Sequence, residues 1–450
     1  MTEPLYEAAV IGGGFAGTTL ALQWRAQLPP GARIALFESG PRLGPGLAYG
    51  TTDPDHVLNV PAGGMSLFPG QPASFAEWLA TRPDAPEMPP EGGPVFAPRQ
   101  IFGAYLEEHL TAATAGPGAA IQPLRQSVEA VERLPEGGFR LRSGSQSWRV
   151  KRVVLAVGGF AAAPGAGAPP HLAGNPWDPA TLEGIDPESP VLLVGMGLTM
   201  VDMLLSLRRR GHRGRVIGIS RHGWVPLAHP SGPLPSPWLV EPPEGAGPVA
   251  LCGLLRRAMA EAAEAGRPWQ AVIDGIRPHV QRLWRGWNLQ QRASFLRHGR
   301  SLWNLHRHRL APSVARFVAE QRASGALETV AARLGEWQPA PDGTVSANLR
   351  LRGGGERQIA VARIILCIGP DGGSGWREAP PVPALLEAGL ARPDPLGLGL
   401  EIAGPDGTLL DADGQPVPGL QAIGPLTRGG LWEITAVPEI RNQAALVAGA

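Results

Sequence analysis

The chain has 450 residues, 43% of them hydrophobic, and a formal net charge of +1. That length suits two or three domains with full cores, and the near-neutrality excludes a global pull toward nucleic acid or membrane. Its two cysteines, Cys252 and Cys367, form no CxxC or CxxxxC, which excludes a dithiol redox pair, and no uninterrupted run of about twenty apolar residues spans a bilayer. Cys and His nowhere take metal-ligand spacing, and the single lysine, Lys151, removes the P-loop motif and makes a Schiff-base mechanism improbable. The N-terminus runs almost at once into a strand, which leaves no room for a secretory signal, so a cytoplasmic location is the expectation.

The first predicted strand, Ala8 to Ile11, leads into Gly12-Gly13-Gly14-Phe15-Ala16-Gly17 and then a helix. This is the strand–turn–helix setting in which a dinucleotide pyrophosphate sits on N–H groups at a helix N-terminus. The second strand, Arg33 to Glu38, ends on a carboxylate 21 residues after Gly17, placed to accept hydrogen bonds from a ribose 2′-OH. A Pro/Gly-rich loop follows at about 61–98, then a helix near 100–113 and strands around 138–143 and 148–151. The apolar run Val153 to Val157 closes on Gly158-Gly159, where the chain turns past the nucleotide and leaves the domain.

A second strand–turn–helix begins at Val191 to Val194 with Gly195-Met196-Gly197-Leu198-Thr199-Met200, in which Met200 replaces the third glycine. Its next strand, Arg215 to Arg221, ends without an acid. Ser220 and Arg221 there offer a donor and a cation for a 2′-phosphate, which favours NADPH over NADH. Two such turns in one chain suggest one nucleotide kept and one exchanged, which is the pattern of a flavoprotein. Between Arg267 and Arg309 lie nine Arg, four His and four Trp against one acid, Asp274, with helical spacing of the apolar residues. The run Ile364 to Ile368, ending in Gly369-Pro370, mirrors the exit at Gly158-Gly159 and brings the chain back toward the first domain. Ala422-Ile423-Gly424-Pro425, then Gly429 to Glu433, precede a last helix with Pro438 in its first turn.

The chain resembles a bacterial family of FAD/NAD(P)-binding proteins that includes an FAD-dependent urate hydroxylase. The resemblance covers nearly the whole chain and rests on Ala48-Tyr49-Gly50, His56 to Pro61, Pro98-Arg99, Gly195 to Asp202, Ser220-Arg221, Arg307-His308-Arg309, Trp432-Glu433 and Pro438 to Arg441. More distantly it resembles class B flavin monooxygenases, although Phe160, His171, Trp177 and Asp178 match the motif before the second turn only in a degenerate form. The resemblance implies an α/β fold of two Rossmann-like dinucleotide-binding domains, for FAD and NADPH, with a helical insertion. The FAD domain would be made from both ends of the chain: 1–163 and 346–450, around an NADPH domain at 164–345 with its insertion at about 250–325.

The expected cofactors are FAD and NADPH. Gly12, Gly14, Gly17, Glu38, Asn59, Arg99 and Gly424 are candidates for the first site, and Gly195, Gly197, Thr199, Ser220 and Arg221 for the second. Asn59 is either a flavin-facing amide or a turn residue ahead of Pro61; Arg99 either reaches the pyrophosphate or caps its helix. Glu433 is expected to point away from the flavin, since a carboxylate against the reduced pyrimidine would be unfavourable. His171, His222 and His229 are candidate proton donors. The leading activity is a monooxygenase in which molecular oxygen adds to reduced flavin at C4a and one oxygen atom passes to a small polar substrate. An anionic substrate is expected from a rim of Arg297, Arg307 and Arg309. The rival enzyme reading is an NADPH-dependent reductase or oxidase serving a quinone or protein. Nucleic-acid binding through 267–309 is a third, disfavoured by the balanced charge and the core-like Trp spacing.

Overall fold

The computed structural model describes residues 5–87, 92–158, 173–368 and 375–449. Strand β1 (Leu5–Ile11) and helix α1 (Phe15–Gln27) are joined by the first glycine turn, and β2 (Arg33–Phe37) follows. Two short helices, α2 (Gly46–Tyr49) and α3 (Ser74–Ala80), lie in the Gly/Pro-rich stretch before α4 (Arg99–Ala115). Then come β3 (Ala120–Leu124), β4 (Ala130–Arg133), β5 (Phe139–Ser143) and β6 (Gln146–Leu155). Beyond β7 (Ala173–Gly174), β8 (Val191–Val194) carries the second glycine turn into α5 (Leu198–Arg209), and β9 (Val216–Ser220) follows.

Six helices then form a lobe: α6 (Pro248–Glu264), α7 (Trp269–Ile276), α8 (Val280–Gly286), α9 (Leu289–Ser294), α10 (Arg300–Arg307) and α11 (Pro312–Ala323). The chain continues through β10 (Leu327–Pro339), β11 (Val345–Leu351), β12 (Glu356–Val361) and β13 (Arg363–Leu366). It closes with α12 (Val382–Glu387), β14 (Thr408–Leu410), β15 (Pro416–Ala422) and α13 (Val437–Gly449).

Two sheets result, so the fold is α/β with two Rossmann-type units. The first has the order β14-β15-β6-β1-β2-β3, with β5 and β4 continuing as an antiparallel flap on β6. The second has the order β12-β11-β10-β9-β8-β13-β7. In each, the strand that feeds the glycine turn lies between two parallel neighbours. Val10 pairs with Leu36 and Val154, and Leu193 with Gly218 and Ile365. Covered on both faces, β1 and β8 read as continuous apolar runs, as buried parallel strands do.

One expected boundary moves. Residues 346–366 belong to the second sheet, where β10, β11 and β12 form an antiparallel meander and β13 pairs in parallel with β8. The return to the first sheet therefore comes after β13, about 20 residues later than the position of 346 suggested. The apolar run Ile364 to Leu366 is a strand of the second unit, the counterpart of β6 in the first.

Three of the lobe's four Trp residues lie in its core. Trp284, Trp287 and Trp303 are buried together with Leu251, Ile276 and Trp432, the last contributed by the C-terminal segment. Trp284 stacks on Trp432 with ring centroids 4.9 Å apart, and Phe295 meets Trp432 edge-on at 5.4 Å. Each such pair adds about 0.5–1.5 kcal/mol beyond burial, so the lobe is fastened to the end of the chain. This packing takes the aromatics away from the surface that a nucleic-acid reading would need.

Candidate dinucleotide sites

At the first turn, Gly12 has φ +109°, and a Cβ there would lie 2.6 Å from the Ala156 carbonyl oxygen at the end of β6. Gly17 is required because its Cβ would collide with the Gly12 carbonyl as α1 packs on the turn. Gly14 is the N-cap of α1 and supplies no side-chain bond, so the first N–H groups of the helix are left for a ligand. Glu38 accepts from Gly13 N–H at 2.9 Å and from Gly40 N–H at 2.7 Å, one bond to each oxygen. Each oxygen keeps a lone pair for a ribose hydroxyl, and this donor and acceptor set fits an adenine dinucleotide. The segment after β2 covers the turn: Gly44 N–H donates to the Gly13 carbonyl, and Gly46 packs directly on Gly14. Gly424, at φ +71°, lies beside Ala16 with its N–H held by Gln443 Oε1 at 2.8 Å.

The second turn repeats the geometry. Gly195 has φ +102° and abuts the Cys367 carbonyl at the end of β13, as Gly12 abuts Ala156. Gly197 caps α5 without a side-chain bond, and a Cβ there would meet nothing within 4 Å. Met200, in place of the third glycine, is buried in the core of this unit. Ser220 Oγ accepts from Gly223 N–H at 3.0 Å, and Arg221 follows at the strand end, where its Nη2 donates to Ser301 Oγ at 2.9 Å. A cavity of about 270 Å³ lies between the units, walled by Gly46, Thr51 and Asp53 on one side and Trp177, Thr199 and Met203 on the other.

Arg99 takes neither expected role. Its guanidinium holds Asp202 of α5 through contacts of 2.8 and 3.1 Å, and its Nε donates to the Val57 carbonyl at 3.1 Å. The pair is buried and ties the first unit to the second. Beside it runs a directed chain of hydrogen bonds: Thr51 Oγ to His56 Nδ1 at 2.9 Å, His56 Nε2 to Ser206 Oγ at 2.9 Å, and Ser206 Oγ to Asp53 at 2.5 Å. The residues that carried much of the family resemblance, His56, Arg99 and Asp202, thus meet at this junction. Asp53 and Ser206 had no signal of their own in the sequence.

The three arginines of the expected rim differ in their surroundings. Arg297 is exposed in the π-helical turn 295–299. Arg309, 3% exposed, makes a two-pronged ion pair with Asp274 at 2.9 and 3.1 Å and donates to the His306 and Gln270 carbonyls. Arg307 lies 3.0 Å from Glu433 Oε2. Arg307 and Arg309 are thus buried and ion-paired inside the protein. Glu433 meets the lobe: Trp303 Nε1 donates to it at 2.7 Å, and its backbone φ of +69° is the single positive value for a non-glycine among the described residues. Burial would raise its carboxyl pKa, but Arg307, Trp303 and Arg428 outweigh that and hold it below the ordinary range.

Several buried polar atoms along this seam have no hydrogen-bond partner among the described residues: His229 Nδ1, Gln270 Oε1, Asn304 Oδ1, Arg307 Nη2 and Glu439 Oε2. His229 Nε2 lies 3.1 Å from the Asn59 carbonyl, which can only accept, so the proton is on Nε2 and Nδ1 carries the lone pair. Burial pushes its pKa down to about 4. His222 is lowered as well, by burial and by Arg352 and Arg221. His171 and Phe160 lie outside the described residues. Among the described residues no His, Cys, Asp and Glu group could hold a metal, and no helix is long and apolar enough to cross a membrane. Both cysteines are free, Cys367 buried and Cys252 exposed.

Comparison with known proteins agrees with this geometry. Residues 9–160 match the model of an FAD-NAD(P)-binding family. No curated protein sequence matches the chain. Among solved structures, L-lysine 6-monooxygenase from Pseudomonas syringae aligns with a TM-score of 0.64 at 16% identity, covering 99% of this chain and 98% of its own. Ornithine hydroxylase from Pseudomonas aeruginosa gives 0.64 at 14% identity over 100% and 98%. An ornithine N-hydroxylase from Kutzneria, solved with reduced FAD, NADP+ and L-ornithine, gives 0.60 at 14% identity over 99% and 98%. This chain shares the fold of these two-dinucleotide flavin monooxygenases from end to end.

Proposed function

We propose that the protein is an FAD-dependent, NADPH-using oxidoreductase, a monooxygenase that hydroxylates a small polar metabolite. The observation that carries this reading is the repetition of one dinucleotide geometry on two sheets. Each has a positive-φ glycine against a neighbouring carbonyl and an uncapped helix, and only the first has a ribose-binding acid. The first turn with Glu38 would hold FAD; the second, with Thr199, Ser220 and Arg221, would hold NADPH. Gly424 lies beside Ala16 at the first turn and would face the flavin; Asn59, the other candidate, lines a small pocket with Leu198 and Val201 of α5. Bound FAD would take hydride from NADPH and react with oxygen. The chain's own task is to position both nucleotides and exclude water, which accounts for the lack of an acid–base pair.

The substrate reading changes with the corrected arginines. The unpartnered buried atoms include the acceptors His229 Nδ1, Gln270 Oε1, Asn304 Oδ1 and Glu439 Oε2, together with guanidinium donors of Arg277 and Arg307. Such a set suits a small molecule rich in N–H, an amine in particular, and the amine-hydroxylating neighbours support the same class. The rival reading, a reductase or oxidase for a quinone or protein, is tested by the same experiment. The FAD-loaded protein is given NADPH and 18O2 with a panel of diamines and amino acids. A product carrying 18O, formed in step with NADPH use, supports the monooxygenase; stimulation by quinones with no labelled product overturns it.

A further inference from the structure

Strand register makes the two glycine turns correspond residue by residue. In the first unit Ile11, just before Gly12, pairs with Phe37; in the second Val194, just before Gly195, pairs with Ile219. Ser220 therefore holds the position of Glu38, the acid placed for a ribose hydroxyl. Beyond it the units part: Ser39, Gly40 and Pro41 follow in the first, and Arg221, His222 and Gly223 in the second, with Trp224 next. The sequence offered His222 as a proton donor. Its surroundings give it another use.

Gly223, at φ +68°, makes the turn: its N–H donates to Ser220 Oγ at 3.0 Å, and a Cβ on it would lie 3.0 Å from the Ala331 nitrogen of β10. On either side of this glycine, His222 and Trp224 stack with ring centroids 4.3 Å apart and planes inclined by 13°, and Trp224 is 40% exposed. The meander supplies a third part. Ala331 pairs with Ser220, and its carbonyl accepts from Arg352 N–H at 2.9 Å, which brings the turn between β11 and β12 alongside the end of β9. From there the exposed Arg352 donates from Nη1 to His222 Nδ1 at 2.8 Å. A guanidinium only donates, so Nδ1 carries the lone pair and the ring is neutral. Burial, and then the Arg352 and Arg221 charges, hold the His222 pKa below its ordinary value, in keeping with two guanidinium groups near this ring.

We propose that Trp224, His222 and Arg352 seat the 2′-phosphoadenosine end of the nicotinamide nucleotide, the exposed indole carrying the purine and Arg352 joining Arg221 at the phosphate. The base and the 2′-phosphate leave adjacent ribose carbons, so one site must offer a flat π surface and a cation side by side, and here both follow directly on the residue that corresponds to Glu38. Arg352 has a second task, since its bond to Nδ1 holds the imidazole on which the indole rests. The inference rests on the reading of the second turn as the nicotinamide site. It goes beyond Ser220 and Arg221 by making the turn of the meander, 130 positions after His222, part of that site.

The test uses the FAD-loaded protein, so that the first turn is filled, with 2′,5′-ADP and 5′-AMP as probes, each measured by calorimetry. The unaltered protein should bind 2′,5′-ADP at least tenfold more tightly than 5′-AMP. W224A should weaken both probes by the same factor, about tenfold, and W224F should recover most of that loss because it keeps a ring. R352Q should weaken 2′,5′-ADP about tenfold and 5′-AMP no more than threefold, and amide exchange in 351–356 should slow when 2′,5′-ADP binds. Equal binding of the two probes to the unaltered protein, or binding of neither, would overturn the NADPH reading itself. Normal discrimination that W224A and R352Q both leave unchanged would overturn this inference alone, and a change in only one of them would break the joint seat. If W224A fails to fold, R352Q and the exchange experiment decide: no effect in either refutes the proposal.

Discussion

The Arg99–Asp202 pair gives the sharpest test of how the two units are joined. Its side chains are 11% and 8% exposed, and the carboxylate meets both terminal nitrogens of the guanidinium. Removing one partner leaves the other charge buried, which costs about 3–5 kcal/mol. For a cooperative unit of 150–250 residues, 1 kcal/mol is worth about 2–4 °C, so R99M or D202L should lower the melting temperature by roughly 6–20 °C. The double variant R99M/D202L puts apolar groups in place of both charges and should regain most of that loss. Calorimetry of the FAD-loaded protein gives the transition, and absorbance gives flavin content, which should stay near one per chain in all three. Flavin lost from R99M but kept by D202L, with melting unchanged in either, would refute this reasoning and return Arg99 to the pyrophosphate.

Gly197→Ala should fold and keep its flavin, because its Cβ enters open space, yet it should weaken NADPH and NADH alike by about tenfold, about 1.4 kcal/mol, in a titration of flavin reduction. Unchanged affinity would mean that the pyrophosphate does not approach this turn. Arg309→Met should destabilise the lobe by about 3 kcal/mol, since Asp274 is left unpaired though a quarter exposed, and should speed amide exchange across 269–309. A raised substrate KM with normal exchange would instead restore Arg309 to a substrate rim. His229 and His308 ordinarily titrate at 6.5, and burial pushes both down to about 4. Their contribution to stability is complete above pH 6.5 and is lost as the pH falls toward 4, because the unfolded chain takes up protons that the native state refuses. Melting temperature should therefore drop over pH 6.5–4.5, and H229Q/H308Q should flatten that drop; an identical slope would show that the drop lies elsewhere.

The parts of the fold that were legible in the sequence are those governed by local chemistry. Gly12 and Gly195 need left-handed backbone, β1 and β8 are buried on both faces, and the Trp spacing of α8 and α10 is that of a helix core. What escaped is what depends on distant partners. Nothing near Arg99 announces Asp202, 103 positions away, and Arg307 and Arg309 look like free cations until Glu433 and Asp274 are folded against them. The boundary at 346 failed for a similar reason: the meander of β10 to β12 has no sequence mark saying which sheet it extends.

The interleaving of the sheets has a consequence during synthesis. Every strand of the second sheet lies within residues 173–366, so that unit can complete itself while the chain is still being made. The first sheet cannot, because Leu420 of β15 pairs with Val153 of β6, 267 positions earlier. At about 5–20 residues per second the end of β6 waits some 13–53 s for its neighbour. Throughout that interval the C-terminal half of β6, with Val153, Val154 and Leu155 all fully buried in the finished protein, presents an unpaired apolar edge. The nascent chain is thus a finished second unit carrying an open first unit, and its vulnerability to aggregation is concentrated in one short strand.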